Sequence, residues 1–304
     1  MIAAAANPND LVTLLPSWQL AMQADRKATY TIDSYVRGAR YYLTWCAAEL
    51  NEHPFTRPAL QRWTTHILSS GAEPTTARIR QQAVCRFAAW LVDEGEIDQN
   101  PFLGVKPPKL DTKVVERLTD DELRLMLKAC AGKEFRNRRD EACLRLLVET
   151  GMRAGELLAL SVHDVDFVRG LVTIRKGKGG VGRHVPFEAQ TGAAIDRYLR
   201  ARKQHRLSET SALWLSETGR QARLGYHGLR IALLARAAAA GVEGFHIHKL
   251  RHTFASRFLS LGGTEGSLMQ LAGWRTREMV DRYSRDTAAE RAINEARRLG
   301  LGDL

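Results

Sequence analysis

Cysteine is scarce: Cys46, Cys85, Cys130 and Cys143 are the only four in 304 residues, and no two of them are spaced as CxxC. Each sits among apolar neighbours in a helical pattern, which reads as buried thiols and argues against a disulfide framework or a zinc site. The carboxylates show no metal-binding spacing either, so no metal and no other cofactor is expected. No apolar run approaches the ~18 residues that a bilayer-spanning helix needs, and no basic segment precedes the short alanine stretch near the N-terminus. Export and membrane insertion are therefore not expected, and a reducing cytoplasm fits the thiols. Fixed-period repeats and low-complexity segments are also missing, which excludes a repeat architecture.

Positive charge, by contrast, is in excess, with 45 Lys and Arg against 34 Asp and Glu. It is unevenly spread: residues 1–105 carry 9 basic and 10 acidic side chains, residues 106–304 carry 36 and 24. A polyanion is the partner such a surface attracts, with an acidic membrane surface or plain solubility as the bland alternatives. The footprint of that partner belongs to the C-terminal part. The 44% hydrophobic content is enough to bury a core, and the length allows two domains.

Residues 1–20 mix Asn, Pro and Asp with Leu11, Leu14 and Trp18 and read as a short lead-in with one small helix. From Thr31 to about Leu50, Ile32, Tyr35, Ala39, Tyr42, Leu43 and Cys46 recur at helical steps. Similar segments follow at about 57–70 and 75–94. The latter places Ile79, Ala83, Phe87, Trp90 and Leu91 on one side and Thr75, Thr76, Arg78, Gln81, Gln82 and Arg86 elsewhere. A small helical bundle over 21–103 is the result. The prolines at 101, 107 and 108 then remove amide donors and stop helix formation, so residues 104–116 read as a linker. A second domain, 117–304, opens at Thr119, where Glu122 three residues on has the form of a capping box. The runs LVTIR and RHVPF, between Leu171 and Phe187, flank the glycine-rich KGKGGVG and predict a β-hairpin. Helical patterns cover 137–150, 190–206, 224–240, 246–261, 264–273, 276–284 and 287–299. The expected fold is mainly α with a small β-hairpin or sheet.

Four short signatures lie in this second part: TGMRAGEL at 150–157, KGKGG at 176–180, HKLRH at 248–252 and AGWRTREMVDRYSR at 272–285. Each is weak alone, since H-x-x-R occurs at His248/Arg251 and again at His227/Arg230. His246, His248 and His252 raise a metal alternative, but Lys249 stands where a metalloprotease helix would need Glu.

Taken in order and spacing, the set resembles the tyrosine recombinase (phage integrase) family: an arginine in a T-G-x-R-x-x-E turn, a hairpin lysine, H-x-L-R, then a His or Trp nine residues before a tyrosine. Here the series reads Arg153, Glu156, Lys178, His248, Arg251, Trp274 and Tyr283. The segments TYTIDSYVRGARYYLTWC and TTARIRQQAVCRFAAWLVDEG look like the family's helical, SAM-like core-binding domain. The resemblance implies Tyr283 as a nucleophile on a DNA phosphate, and Thr75, Thr76, Arg78, Arg80 and Arg86 as DNA contacts in that helical domain. It also implies a homotetramer on two synapsed duplexes, with the tail 287–304 docking on a neighbouring protomer.

The residue types suit that chemistry. Arginine forks match the non-bridging oxygens on which charge builds during phosphodiester cleavage, and Arg153 and Arg251 are the candidates; for any one arginine, the ordinary role is a surface ion pair. A tyrosine with pKa near ~10 needs both a proton acceptor and charge stabilisation, which points to His248. Lys178 on a glycine-rich hairpin is placed to protonate the leaving 5′ oxygen, with Lys176 a neighbour of the same type. Trp274 offers one N–H donor and no acceptor, so it can hold a phosphate oxygen but not relay a proton. Glu156 is expected to orient basic neighbours, and His252 to be structural. Three rivals stay open at this point: a Xer-type dimer resolvase, a type IB topoisomerase with similar chemistry, and a noncatalytic DNA-binding protein.

Overall fold

The computed structural model describes residues 8–49, 54–110, 116–175, 182–217, 222–284, 293 and 297. The chain divides into two compact units, Met1–Lys113 and Val114–Leu304. Each has its own buried core.

The first unit is all helical: α1 (Pro8–Thr13), α2 (Leu15–Ala24), α3 (Thr29–Glu49), α4 (Arg57–Ser69) and α5 (Pro74–Asp93). The lead-in yields two helices where one was expected, and Leu11, Leu15, Trp18 and Met22 are buried in the same core as α3 and α5. Proline at the first turn opens α4 and α5, where the missing N–H costs nothing. Helices α3 and α5 approach so closely that a Cβ on Gly38 would lie 2.8 Å from the Ala83 Cβ.

The second unit begins with α6 (Asp120–Ala129). Its capping box forms as the spacing predicts, with the Glu122 N–H donating to Thr119 Oγ1 and the Thr119 N–H donating to Glu122 Oε2. Then come α7 (Phe135–Thr150), α8 (Ala154–Ala159), strands β1 (Val165–Asp166), β2 (Leu171–Ile174) and β3 (Arg183–Pro186), and helices α9 (Ala189–Lys203), α10 (Tyr226–Ala239), α11 (Ile247–Ser260), α12 (Glu265–Ala272) and α13 (Glu278–Ser284). The strands form one antiparallel sheet in the order β1-β2-β3, with Ile174 opposite Arg183 and Val172 opposite Val185. The expected hairpin is thus β2–β3, and β1 adds an edge.

Three contacts at the start of this unit anchor α11. The Leu118 N–H donates to Thr253 Oγ1 at 2.9 Å, Arg117 Nη1 donates to Ser256 Oγ at 2.6 Å, and the buried Lys249 ammonium meets Glu116 at 2.8 Å. With α11 so fixed, the residues on its other face are held in place.

Candidate active site

The site is built around the C-terminal end of α12. A helix end leaves its last carbonyls without intrahelical partners, and a buried end must find donors for them. Two are satisfied by the backbone: Gly273 turns left-handed (φ 63°), so that the Trp274 N–H donates to Met269 O and the Gly273 N–H to Gln270 O. The next three each take an arginine from a different element. Arg183 Nε of β3 donates to Leu271 O at 2.7 Å, Arg251 Nη2 of α11 to Ala272 O at 2.7 Å, and Arg153 Nη2 to Gly273 O at 3.3 Å. The partial negative charge of the helix end favours such cations.

Arg153 owes its place to the end of α7. Gly151 stops that helix in a left-handed turn (φ 60°), against Phe254 so tightly that a Cβ would lie 2.1 Å from its ring. Arg153 then caps α8, where Glu156 reaches back to its N–H at 2.8 Å and to its Nη1 at 2.9 Å. Arg251 is only 3% exposed. Besides Ala272 O, it donates to Gly151 O at 2.6 Å, and its guanidinium lies 5.1 Å from the centre of the Trp274 ring. One side chain therefore ties the end of α7, the end of α12 and the tryptophan together.

His248 lies three residues before Arg251 on α11 and keeps an exposed edge, with its ring 4.4 Å from that of His252. Desolvation lowers its pKa below the ordinary value, and the positive charges of Arg251, His246 and Arg153 act in the same direction. A neutral imidazole at neutral pH can accept a proton. Glu156 is buried, which alone would raise its carboxyl pKa, yet hydrogen bonds from Arg183 and from Arg153 outweigh burial and bring it below the usual value. It is an ionised anchor for arginines, in line with an orienting role. Among the described residues no cluster of His, Cys, Asp or Glu could hold a metal ion.

Arg153, Glu156, His248, Arg251 and Trp274 thus come together from α8, α11 and the turn after α12. Tyr283 falls on α13, which packs against α11 and α12; its side chain lies outside those described. Lys178 and Lys176 fall in 176–181, between β2 and β3, and also lie outside the described residues. So does the tail 287–304, apart from Ile293 and Arg297, both exposed. The residue that sequence reasoning passed over is Arg183. The available signal was the two-residue strand period, which puts it on the same face as the buried Val185.

In the first unit, Thr75, Arg78 and Arg86 share one exposed stripe of α5 with Ile79 and Gln82. Thr76 and Arg80 are half-buried beside it, Arg80 lying 5.1 Å over the Tyr41 ring. Two positions on this helix are corrected. Ile79, expected in the core, is 47% exposed, and Gln81, expected on the surface, is 4% exposed with Nε2 directed at Lys106 O. Helix α3 closes on α5 at Gly38 against Ala83, and the buried stripe runs through 77, 81, 83, 84, 87, 88 and 91, which takes in Gln81 and leaves Ile79 outside.

Among relatives, the tyrosine recombinase XerC of Corynebacterium efficiens is 30% identical over 254 residues, 83% of this chain and 81% of the relative. The tyrosine recombinase XerA of Thermococcus kodakarensis is 28% identical over 284 residues, 93% of each chain. In fold, the chain is similar to the XerH site-specific recombinase solved in a post-cleavage complex with palindromic difH substrate. That likeness has a TM-score of 0.73 at 18% identity, over 95% of this chain and 83% of the other. The phage integrase family profile matches residues 116–290. That span is more than half of the chain and holds the whole arginine-capped end of α12, and the protein belongs to the phage integrase family.

Proposed function

We propose that this protein is a site-specific DNA recombinase that breaks and rejoins DNA strands through a 3′-phosphotyrosine intermediate on Tyr283. The observation that carries this reading is the convergence of Arg153, Arg251, His248 and Trp274 at one helix end, immediately before the helix of Tyr283. Two guanidiniums held by carbonyls and a carboxylate are preorganised donors for phosphate oxygens, which is the larger part of catalysis when charge builds on a phosphoryl group.

In the first step, the Tyr283 oxygen attacks the scissile phosphorus as His248 takes its proton. The P–O5′ bond breaks, and Lys178 protonates the leaving 5′ oxygen. In the second step, the 5′ hydroxyl of a partner duplex attacks the phosphotyrosine, tyrosine leaves and the protons return. One phosphoester replaces another, so the exchange draws on no external energy and needs neither ATP nor a metal. Two duplexes with two exchanges each call for four protomers, for which the tail 287–304 supplies a docking element. The stripe Thr75, Arg78 and Arg86, with Thr76 and Arg80 beside it, contacts DNA; α5 has Arg78, Arg80 and Arg86 and no acid before Asp93. The protein acts on DNA in the cytoplasm; among the described residues no helix is long and apolar enough to cross a membrane. A dimer-resolving role is the second reading, favoured by the XerC and XerA relatives.

The test is covalent trapping on a nicked suicide duplex. Wild-type protein forms an SDS-stable adduct, and Tyr283→Phe binds the same duplex without forming it. An adduct at wild-type yield from Tyr283→Phe refutes the assignment.

A further inference from the structure

We infer that Arg183 is a positioning residue of this active site: by neutralising Glu156 and holding the Leu271 carbonyl, it keeps the Arg153 guanidinium available to the phosphate. This rests on the recombinase reading above.

A cation on the inward face of a strand is costly unless it is paired and hydrogen-bonded. Arg183, with a side chain 10% exposed, is both. Its Nη2 donates to Glu156 Oε2 at 2.7 Å and its Nη1 to Oε1 at 3.2 Å, a fork on the carboxylate, while Nε donates to Leu271 O at 2.7 Å. Room for the fork comes from Gly273, where a Cβ would lie 2.9 Å from Nη1. One guanidinium thus joins β3 to the α8 turn that carries Arg153 and to the α12 turn that ends in Trp274. Strand β3 also closes the hairpin that bears Lys178, so every arm of the proposed chemistry except α11 and α13 meets at Arg183.

Charge gives the second reason. Glu156 is a single carboxylate shared by two guanidiniums, with Arg183 engaging both oxygens and Arg153 reaching Oε1 through one nitrogen at 2.9 Å. The cluster carries one surplus positive charge, and a phosphate can draw on it. Without Arg183, the carboxylate is free to take Arg153 in its own fork and the surplus is gone. A guanidinium and a carboxylate in contact attract far more strongly out of bulk water than in it, so an unshared Glu156 competes with the phosphate for Arg153.

The experiment uses full-length protein and a duplex selected by the wild type from a random-sequence pool, nicked beside the cleaved phosphate. Wild type, Arg183→Met, Arg183→Lys, Glu156→Gln and the Arg183→Met/Glu156→Gln double variant are compared for single-turnover adduct formation, duplex affinity and thermal unfolding. Arg183→Met is expected to slow adduct formation about a hundredfold, the cost of a small misplacement of reacting groups, with affinity almost unchanged. Arg183→Lys falls between, because an ammonium neutralises Glu156 but lacks the fork that also reaches Leu271. The double variant regains about tenfold over Arg183→Met, since removing the anion releases Arg153. A residue that only held the fold together would make the double variant the slowest of all.

If Arg183→Met does not fold, Arg183→Gln carries the same comparison with a neutral donor on Glu156. Wild-type rates from the Arg183 variants, or a double variant no faster than its Arg183 parent, refute this role for Arg183 alone. A wild-type chain that forms no Tyr283-dependent adduct refutes the recombinase reading and this role with it.

Discussion

Arg153 and Arg251 face the same helix end but are held differently, and alanine at each should separate catalysis from stability. Arg251 is 3% exposed and donates to Gly151 O at 2.6 Å and Ala272 O at 2.7 Å. Hydrogen bonds from a charged donor contribute about 1.5–3 kcal/mol each. Arg251→Ala should therefore lose about 3–6 kcal/mol for the two bonds. Arg153 keeps a quarter of its side chain exposed, and its bond to Gly273 O is a long 3.3 Å. Its partner Glu156 retains Arg183, so Arg153→Ala should lose about 1 kcal/mol. For a unit of this size each kcal/mol moves the melting temperature by about 2–4 °C. The expected drops are about 6–24 °C for Arg251→Ala and about 2–4 °C for Arg153→Ala. Both should slow single-turnover cleavage by about 10²–10³, the cost of one oxyanion donor. Thermal melts and adduct kinetics on the same preparations decide it. Equal losses of stability, or cleavage at the normal rate from either variant, would show that this division of labour is wrong.

Gly273→Ala strains a left-handed turn by about 1–2 kcal/mol and sets a Cβ 2.9 Å from Arg183; it should melt lower and form adduct more slowly, whereas Gly155→Ala, with open space at its Cβ, serves as the control. His248 must be neutral to accept a proton, and its pKa lies below the ordinary value of ~6.5. Cleavage should hold through neutral pH and fall only as pH drops below that value, an acid limb that a pH series on His248→Asn should lack. If arginines supply the charge stabilisation, as proposed, cleavage should also proceed at full rate in EDTA; loss in chelator with recovery on added magnesium or zinc would point to a metal-dependent nuclease.

Much of this was legible in the sequence because the cues were local. The Thr119–Glu122 capping box, the Gly151 stop, the prolines after Asn100 and the two short runs around KGKGGVG each act over a few residues, so pattern and outcome coincide. The order Arg153, Lys178, His248, Arg251, Trp274 and Tyr283 was readable as a resemblance for the same reason, as short motifs at defined spacings.

What periodicity could not supply was the angle and depth at which elements meet. Ile79 and Gln81 exchange their expected places because the side of α5 that is covered depends on packing between distant elements, such as Gly38 against Ala83, more than forty positions apart. Arg183 lies 27 residues from Glu156 and 88 from Leu271, and nothing in its neighbourhood along the chain announces either partner. Local rules determined which residues form helices, turns and hairpin. The unsatisfied carbonyls at the end of α12, buried by tertiary packing, decided which of the many arginines became structural and how they stand around the site.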